Sequence, residues 1–509
     1  MNTKYITSIG LCLLMLTSSC NDLLEQTDPN AVTVGDYFKT ENDVQLAVNG
    51  IYQSLRGSDS VGENSGLYTD ERSDDTGTND NQSNSGEPFQ FNNFALLASN
   101  TWLKNHWVSL YQSITRCNVV LSNIDKITFA DANNKAKFTA EAKFVRAFIY
   151  FQLVRKWGDV PLVTKQLIST EEITAFTARV KKELVYEQIV ADLKDVVAAP
   201  LENLQTGANA GKVSKAAGNA LLGQVYLTMA TTLDPTNKAV NLNHAKMYLE
   251  AAYGMKNFGS LKEIPYPDVF DVAKKSTCPE LIFQIVNKQG DLNYASSIAA
   301  NTQAKGETIN SLKPSTGSGM NVTHDLVFDY ETGDLRKDFS IKFANDQSVQ
   351  DWFVTKFRDA STTAGVNGYG GNDWILIRYA DVILMLAEVN MYLGNDAAAI
   401  GYLDMVRERA KMPGYTASKA NANYAAKYPT LKLAILHERR VELAFEHHRW
   451  FDLLRTFTTD ELITFMKSKK QEDFGNAKLS NFSAKDRYYP IPFDENKLDP
   501  VKMYQNEGY

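Results

Sequence analysis

The sequence predicts a mainly α protein of tetratricopeptide-like helical hairpins, with long polar loops and a minor β content. Three observations lead there. Apolar residues recur every three or four positions over much of the chain. Several of the resulting helices form adjacent pairs, with small residues where they would cross, as at Ala216, Ala217, Ala220 and Gly223. Stretches rich in Ser, Asn, Asp and Gly separate the helical blocks: Gly57 to Asn100, then 286–320 and 357–373. A chain of 509 residues exceeds one ordinary core, so either two tightly packed lobes or one large repeat-built unit is expected.

The first element is not part of the fold. Lys4 precedes an apolar run, Ile6 to Leu16, too short to cross a bilayer core that needs about 20 helical residues. Small residues follow, Thr17-Ser18-Ser19, and then Cys20. The arrangement resembles a bacterial lipobox, which implies cleavage before Cys20 and acylation of that residue. A multiply acylated cysteine is a stable tether. Residues 1–19 thus read as a signal peptide, 20–34 as a lipidated tether, 35–230 as an N-terminal helical region and 265–509 as a C-terminal region.

Helices follow in order. Asn42 to Leu55 carries Val44, Ala47, Val48, Ile51 and Leu55 on one stripe, with Asn42 as the expected N-cap. Trp107 to Ile124 repeats the pattern. Glu141 to Trp157 is dense in large apolar residues and stops at Gly158, and Asp159-Val160-Pro161 then enforces extended backbone. Lys181 to Val197, Ser214 to Met229 and His244 to Tyr253 continue the series. Arg378 to Leu393, Ala397 to Ala410 and Leu431 to Leu454 complete it, and short strands are expected at Leu281–Ile285 and Asp351–Phe357.

Composition removes several functions. The net charge of -7 and the absence of a Lys/Arg-rich block argue against nucleic-acid binding. With Cys20 acylated, Cys117 and Cys278 are the two free cysteines expected, and a disulfide between them is neither required nor excluded. Of the six histidines, His437 is followed four residues on by Val441, which cannot ligate, and Glu446 is followed three on by Arg449 rather than histidine, so no metal is expected. No nucleophile elbow, Walker loop or dinucleotide fingerprint occurs, and Gly368-Tyr369-Gly370-Gly371 reads as a flexible loop. Glu438, Glu442 and Glu446 share a helix face among Arg439, Arg440 and Arg449, a pattern of salt-bridged packing. His448 reads as a core histidine. No cofactor is expected. The acidic run Asp70, Glu71, Asp74, Asp75, Asp80 reads as a solvated loop, with a structural calcium site as the alternative.

Several stretches together resemble the SusD/RagB family of Bacteroidetes outer-membrane nutrient-binding lipoproteins. Asp22-Leu23-Leu24-Glu25 follows the lipobox. Ala140-Glu141-Ala142-Lys143-Phe144-Val145-Arg146-Ala147 runs into Trp157-Gly158-Asp159-Val160-Pro161-Leu162. Gly211-Lys212-Val213-Ser214 and Ile377-Arg378-Tyr379-Ala380-Asp381 come next, then Val406-Arg407-Glu408-Arg409-Ala410. Glu438 to Glu446, Arg449-Trp450-Phe451-Asp452-Leu453, Tyr489-Pro490-Ile491-Pro492 and the tail Gln505-Asn506-Glu507-Gly508-Tyr509 close the series. Where the family often has glycine, His447 stands. The resemblance implies tetratricopeptide-like hairpins packed against an irregular second lobe. It also implies a non-enzymatic surface lipoprotein that captures an oligosaccharide for a partner TonB-dependent, SusC-like β-barrel transporter, with peptide capture as the alternative.

Those motifs contain no ligand site, so the site expectation rests on chemistry. Sugars present C–H faces to aromatic rings and hydroxyls to amide, carboxylate and guanidinium groups. Tyr68 with Asp70 and Arg72, Tyr294 with Asn293, and Trp102 have that composition on or beside the loops.

Overall fold

The computed structural model describes residues 37–77, 86–233, 235–291, 293–309, 321–365, 370–475 and 477–509. The leader, Cys20, the tether, Asp80 and Tyr369 lie outside the described residues.

The long helices stack in chain order. They are α1 (Glu41–Ser54), α2 (Thr101–Asn123), α3 (Ala132–Trp157), α4 (Lys182–Ala198), α5 (Lys215–Thr232) and α6 (Lys238–Gly254). After a long insertion come α7 (Tyr379–Tyr392) and α8 (Asp396–Arg409), then α9 (Leu431–Glu442), α10 (Arg449–Thr456) and α11 (Thr459–Lys467). Each helix from α1 to α8 packs on the next, including α6 on α7 across the insertion. One core therefore runs from Phe38 to Met503, through both regions that the sequence separated at 230 and 265. The small residues set the crossings: a Cβ on Gly223 would lie 2.6 Å from Leu249 of α6, and one on Gly218 2.9 Å from Val196 of α4. Arg146 of α3 donates to both oxygens of Asp192 of α4, at 2.8 and 2.7 Å, a buried bidentate staple.

Two helix ends differ from expectation. The cap of α1 is Thr40, not Asn42: its hydroxyl accepts from the Asp43 N–H while the Asp43 carboxylate accepts from the Thr40 N–H at 2.7 Å. The stretch Leu431 to Leu454 is two helices, not one. The break holds Phe445 at φ 66° and His447 at φ 64°. That left-handed backbone favours glycine, which accounts for the residue the family often places after Glu446.

The insertion between α6 and α7 forms the irregular lobe. A mixed-length antiparallel sheet orders β1 (Thr76–Gly77), β5 (Asn321–Val322), β7 (Trp352–Val354) and β6 (Ile341–Phe343) side by side. β2 (Val160–Pro161) pairs with β3 (Arg179–Val180), and β4 (Leu281–Ile285) with β8 (Trp374–Arg378). Both expected strands are present, the second confined to Trp352–Val354; β8 was not anticipated. Distant motifs meet at the chain end, where the Trp157 indole donates to the Pro490 carbonyl at 2.9 Å. Among the described residues no helix is long and apolar enough to cross a membrane. Cys117 and Cys278 are buried free thiols.

The glutamate ladder is an ion-pair network, but its partners are not its sequence neighbours. Glu442 accepts from Arg378 at 2.6 Å, from Arg336 at 3.0 Å and from Arg409. Glu438 takes Arg336 and Arg407, and Glu446 takes Arg378 and Lys356. Arg439 turns instead to Asp381 and Asp452, and Arg440 and Arg449 to Asp74 and Asp75. A carboxylate held by three guanidiniums has little basicity left, so Glu442 is pinned as an anion well below its ordinary range although burial opposes its charge.

Candidate functional site: an aromatic shelf on the loop lobe

The first expected group is not a surface site. Residues 57–77 fold into short 3₁₀ turns that bury their own polar and aromatic side chains. The Tyr68 ring stacks on His106 at 3.9 Å, and its hydroxyl donates to the Trp102 carbonyl at 3.1 Å. Tyr68 is 1% exposed, Asp70 3% and Arg72 0%. Asp70 accepts from the His447 N–H at 3.2 Å, and Arg72 is enclosed by Tyr489, Phe94 and Trp450 while pairing with Asp486. These three residues hold the loop against the C-terminal segments and present no face to a ligand. Trp102, on the first turn of α2, keeps its ring exposed, whereas Trp107 is buried.

Asp70, Asp74 and Asp75 of the acidic run are also buried rather than solvated, and Glu71 is partly so. Asp74 accepts both Arg449 donors, at 2.7 and 2.9 Å, and Asp75 accepts from Arg440 at 2.7 Å. A calcium ion at these carboxylates would have to displace those guanidiniums. Glu71 differs in having no cation beside it: one of its oxygens, like one each of Asp70 and Asp75, is buried without a hydrogen-bond partner among the described residues, and burial alone lifts its carboxyl to about 7. The raised value favours the protonated form in the folded state, so its contribution is full below the unfolded carboxyl range and is lost as pH rises toward 7. Glu71→Gln is therefore expected to stabilise the protein by about 1–3 kcal/mol at pH 8 and by little at pH 4. Thermal melts at both pH values check this; equal effects at the two would contradict it.

The second expected group stands at the surface. Tyr294 is 47% exposed, and Asn293 beside it faces solvent. One face of the tyrosine ring rests near the Arg56 guanidinium, 5.4 Å from the ring centre. Arg56 lies just past the C-terminus of α1. It donates to Asn287 at 2.6 Å, to the Tyr294 carbonyl at 2.5 Å and to the Val286 carbonyl, so its position is locked by three acceptors. Below it, Glu63 clamps the loop: it accepts from the Ser296 hydroxyl at 2.5 Å, the Ser297 N–H at 2.6 Å and Asn287 at 3.2 Å. Burial raises the Glu63 carboxyl and these donors oppose the rise. Asn301 donates to Asn64 at 2.8 Å, placing two amides on the same loop surface. Behind Arg56 a cavity of about 230 Å³ is lined by Asn49, Gln53, Lys212 and Gln284.

Tyr294 and Tyr68 share no hydrogen bond or ring contact among the described residues, so the two expected groups do not form one site. Sequence reasoning missed Arg56, Asn64 and Asn301. The signal was weak: an arginine past a helix end and isolated amides in a loop. It also missed a second aromatic surface on the β6–β7 hairpin. There Phe343 and Trp352 are directly paired across the strands, with ring centres 5.7 Å apart. His324 Nε2 donates to the Asp351 carboxylate at 2.9 Å, and its ring centre stands 6.1 Å from that of the largely exposed Phe328.

A helical solenoid carrying aromatic and amide-bearing loops defines a class of binding protein, and comparison with known proteins gives the family. Residues 294–509 match the SusD family, and residues 22–227 match the family described as starch-binding associating with outer membrane. The chain is 27% identical to SusD-like protein P2 of Formosa agariphila, over 98% of each. Among solved structures, a laminarin binding SusD-like protein superposes with a TM-score of 0.74 at 25% identity, covering 93% of this chain and 100% of the other. Surface glycan-binding protein A from Bacteroides thetaiotaomicron, solved in complex with laminarihexaose, superposes with a TM-score of 0.73 at 20% identity, covering 92% of this chain and 99% of the other. The chain belongs to the SusD/RagB family.

Proposed function

We propose that this protein is a surface glycan-binding lipoprotein of the outer membrane, anchored through Cys20, which captures an oligosaccharide and passes it to a partner TonB-dependent, SusC-like β-barrel transporter. The Tyr294 shelf carries the reading. It offers an exposed aromatic ring for a sugar, backed by a fixed cation, with Asn293 beside it in the chain and the amides of Asn64 and Asn301 gathered at Ser297 for hydroxyls. The names of the solved relatives support the ligand class, and the Cys20 lipobox supports the anchor.

The shelf is a binding surface, so the ligand leaves unchanged. Electrophoresis in native gels containing laminarin or other neutral polysaccharides tests the capture step: retardation by at least one polysaccharide, with no release of reducing ends, is expected. Unchanged mobility across the panel would contradict it. Delivery and anchoring are tested together in cells. The wild-type chain is expected to co-purify with a β-barrel from the outer-membrane fraction, and Cys20→Ala to leave that fraction.

A further inference from the structure

The buried arginines of this protein are, as a rule, matched to carboxylates. Arg336, Arg378, Arg407, Arg440, Arg449 and Arg455 each pair with at least one. Arg155 is not. It lies in the last turn of α3, is 9% exposed, and is clamped between the rings of Phe151 and Phe451, 3.8 and 3.6 Å from their centres. Its Nε donates to the Phe151 carbonyl at 3.0 Å. Its two terminal nitrogens make no hydrogen bond or ion pair with any described residue. A buried charge without an opposite charge is unfavourable, and burial pushes this guanidinium down to about 9, still cationic at neutral pH.

Arg155 lines a cleft of about 30 Å³ together with Lys182, Tyr186, Arg487 and Tyr488, with no carboxylate in its walls, and on its other side a cavity that Glu446 also lines. Lys182 reaches only the Tyr488 hydroxyl, at 3.4 Å. Arg487 donates to the carbonyls of Phe457 and Leu454, at 3.3 and 2.8 Å. Neither forms an ion pair among the described residues. The cleft shares Lys182, Arg487 and Tyr488 with an open groove of about 800 Å³ along the C-terminal segment. The groove also carries carboxylates: Asp159, taken by Lys181 at 3.2 Å, and Glu183 and Glu507, while Arg179 sits 4.2 Å from the Tyr504 ring centre and donates to carbonyl and amide oxygens.

We propose that cleft and groove form an oxyanion-binding site, which takes a carboxylate, sulfate or phosphate group against Lys182 and Arg487, with Arg155 as its buried floor and the groove holding whatever polar chain bears that group. The floor cation is rigid because two rings hold its plane. Its donors are free, so an incoming oxyanion would gain charge-assisted hydrogen bonds without first breaking an internal pair. The inference is independent of the Tyr294 shelf.

The test is calorimetric titration of the wild-type chain with sodium sulfate, inorganic phosphate and tetragalacturonate, at ionic strength held constant with chloride, and with neutral laminarihexaose as comparator. Saturable binding of at least one anionic probe is expected. Lys182→Gln and Arg487→Gln should each weaken it by about tenfold. Lys182 is only half-buried, so its variant is expected to fold. Arg155→Gln tests the floor, with circular dichroism as the folding control. Tighter binding of tetragalacturonate than of the inorganic ions identifies an acidic oligosaccharide as the source of the group; equal binding identifies the free ion. No saturable response beyond the chloride control, or unaltered affinity in both Lys182→Gln and Arg487→Gln, overturns the proposal whatever laminarihexaose does.

Discussion

Glu442→Gln is expected to lower the unfolding free energy by about 3–5 kcal/mol, enough to leave little folded protein at physiological temperature. The reason is geometric. Glu442 touches Arg378, Arg336 and Arg409 at once, all buried. Replacing its charge by an amide turns one acceptor oxygen into a donor facing guanidiniums that can only donate. It also leaves Arg378 and Arg409 to Glu280 and Glu446 alone, and Arg336 to Asp334 and Glu438. Urea unfolding followed by circular dichroism reads the loss. A change below about 1 kcal/mol, the range of an exposed pair, would show that the network is decorative.

The second large effect is acid unfolding. Burial opposes ionisation at Glu446, Asp452 and Glu331, yet facing cations hold Glu446 and Asp452 down to about 2, and His437 and Arg407 hold Glu331 there too. Their folded values lie below the unfolded ones, so the stability they bring is present above about pH 4.5 and is lost as pH falls toward 2. Each carboxylate contributes about 3 kcal/mol over that window. The native circular dichroism spectrum is therefore expected to hold at pH 6 and collapse cooperatively between about pH 4 and pH 2. Native structure retained at pH 2 would contradict the account. The trend is opposite in sign to that expected for Glu71, whose carboxyl is raised.

Much of the fold was legible because helices advertise themselves locally. The apolar stripes of α1 to α8 and the small residues at Gly218 and Gly223 carry their packing in the sequence. Errors arose where two local signals compete. Thr40 and Asn42 are both N-cap residue types, and only the reciprocal bond to Asp43 separates them. The break after Glu442 lies inside an uninterrupted apolar pattern, since His447 replaces the glycine that would have marked it.

The site was legible only in part, for a different reason. Tyr68, Asp70 and Arg72 have the composition of a sugar site, but composition does not report burial. The burial of Asp70 and Arg72 depends on His447 and Asp486, more than 370 residues away, and that of Tyr68 on His106 and Trp102 of α2. The ion-pair ladder shows the same limit: its glutamates were recognisable by spacing, while Arg336 and Arg378 reach them from the insertion and its return strand. By contrast Tyr294, like Asn293, stands exposed on its loop. Arg56, its partner, could not be paired with it from the sequence at all, at a separation of 238 residues.

Calorimetric titration of the protein beginning after Cys20, wild type beside Tyr294→Ala, against laminarihexaose and a panel of other oligosaccharides and short peptides, tests the central claim most directly. The account predicts saturable binding of an oligosaccharide without turnover, weakened about tenfold in the variant by loss of an aromatic contact while the melting temperature stays the same. Binding of peptides alone, or oligosaccharide affinity untouched by Tyr294→Ala, would contradict it.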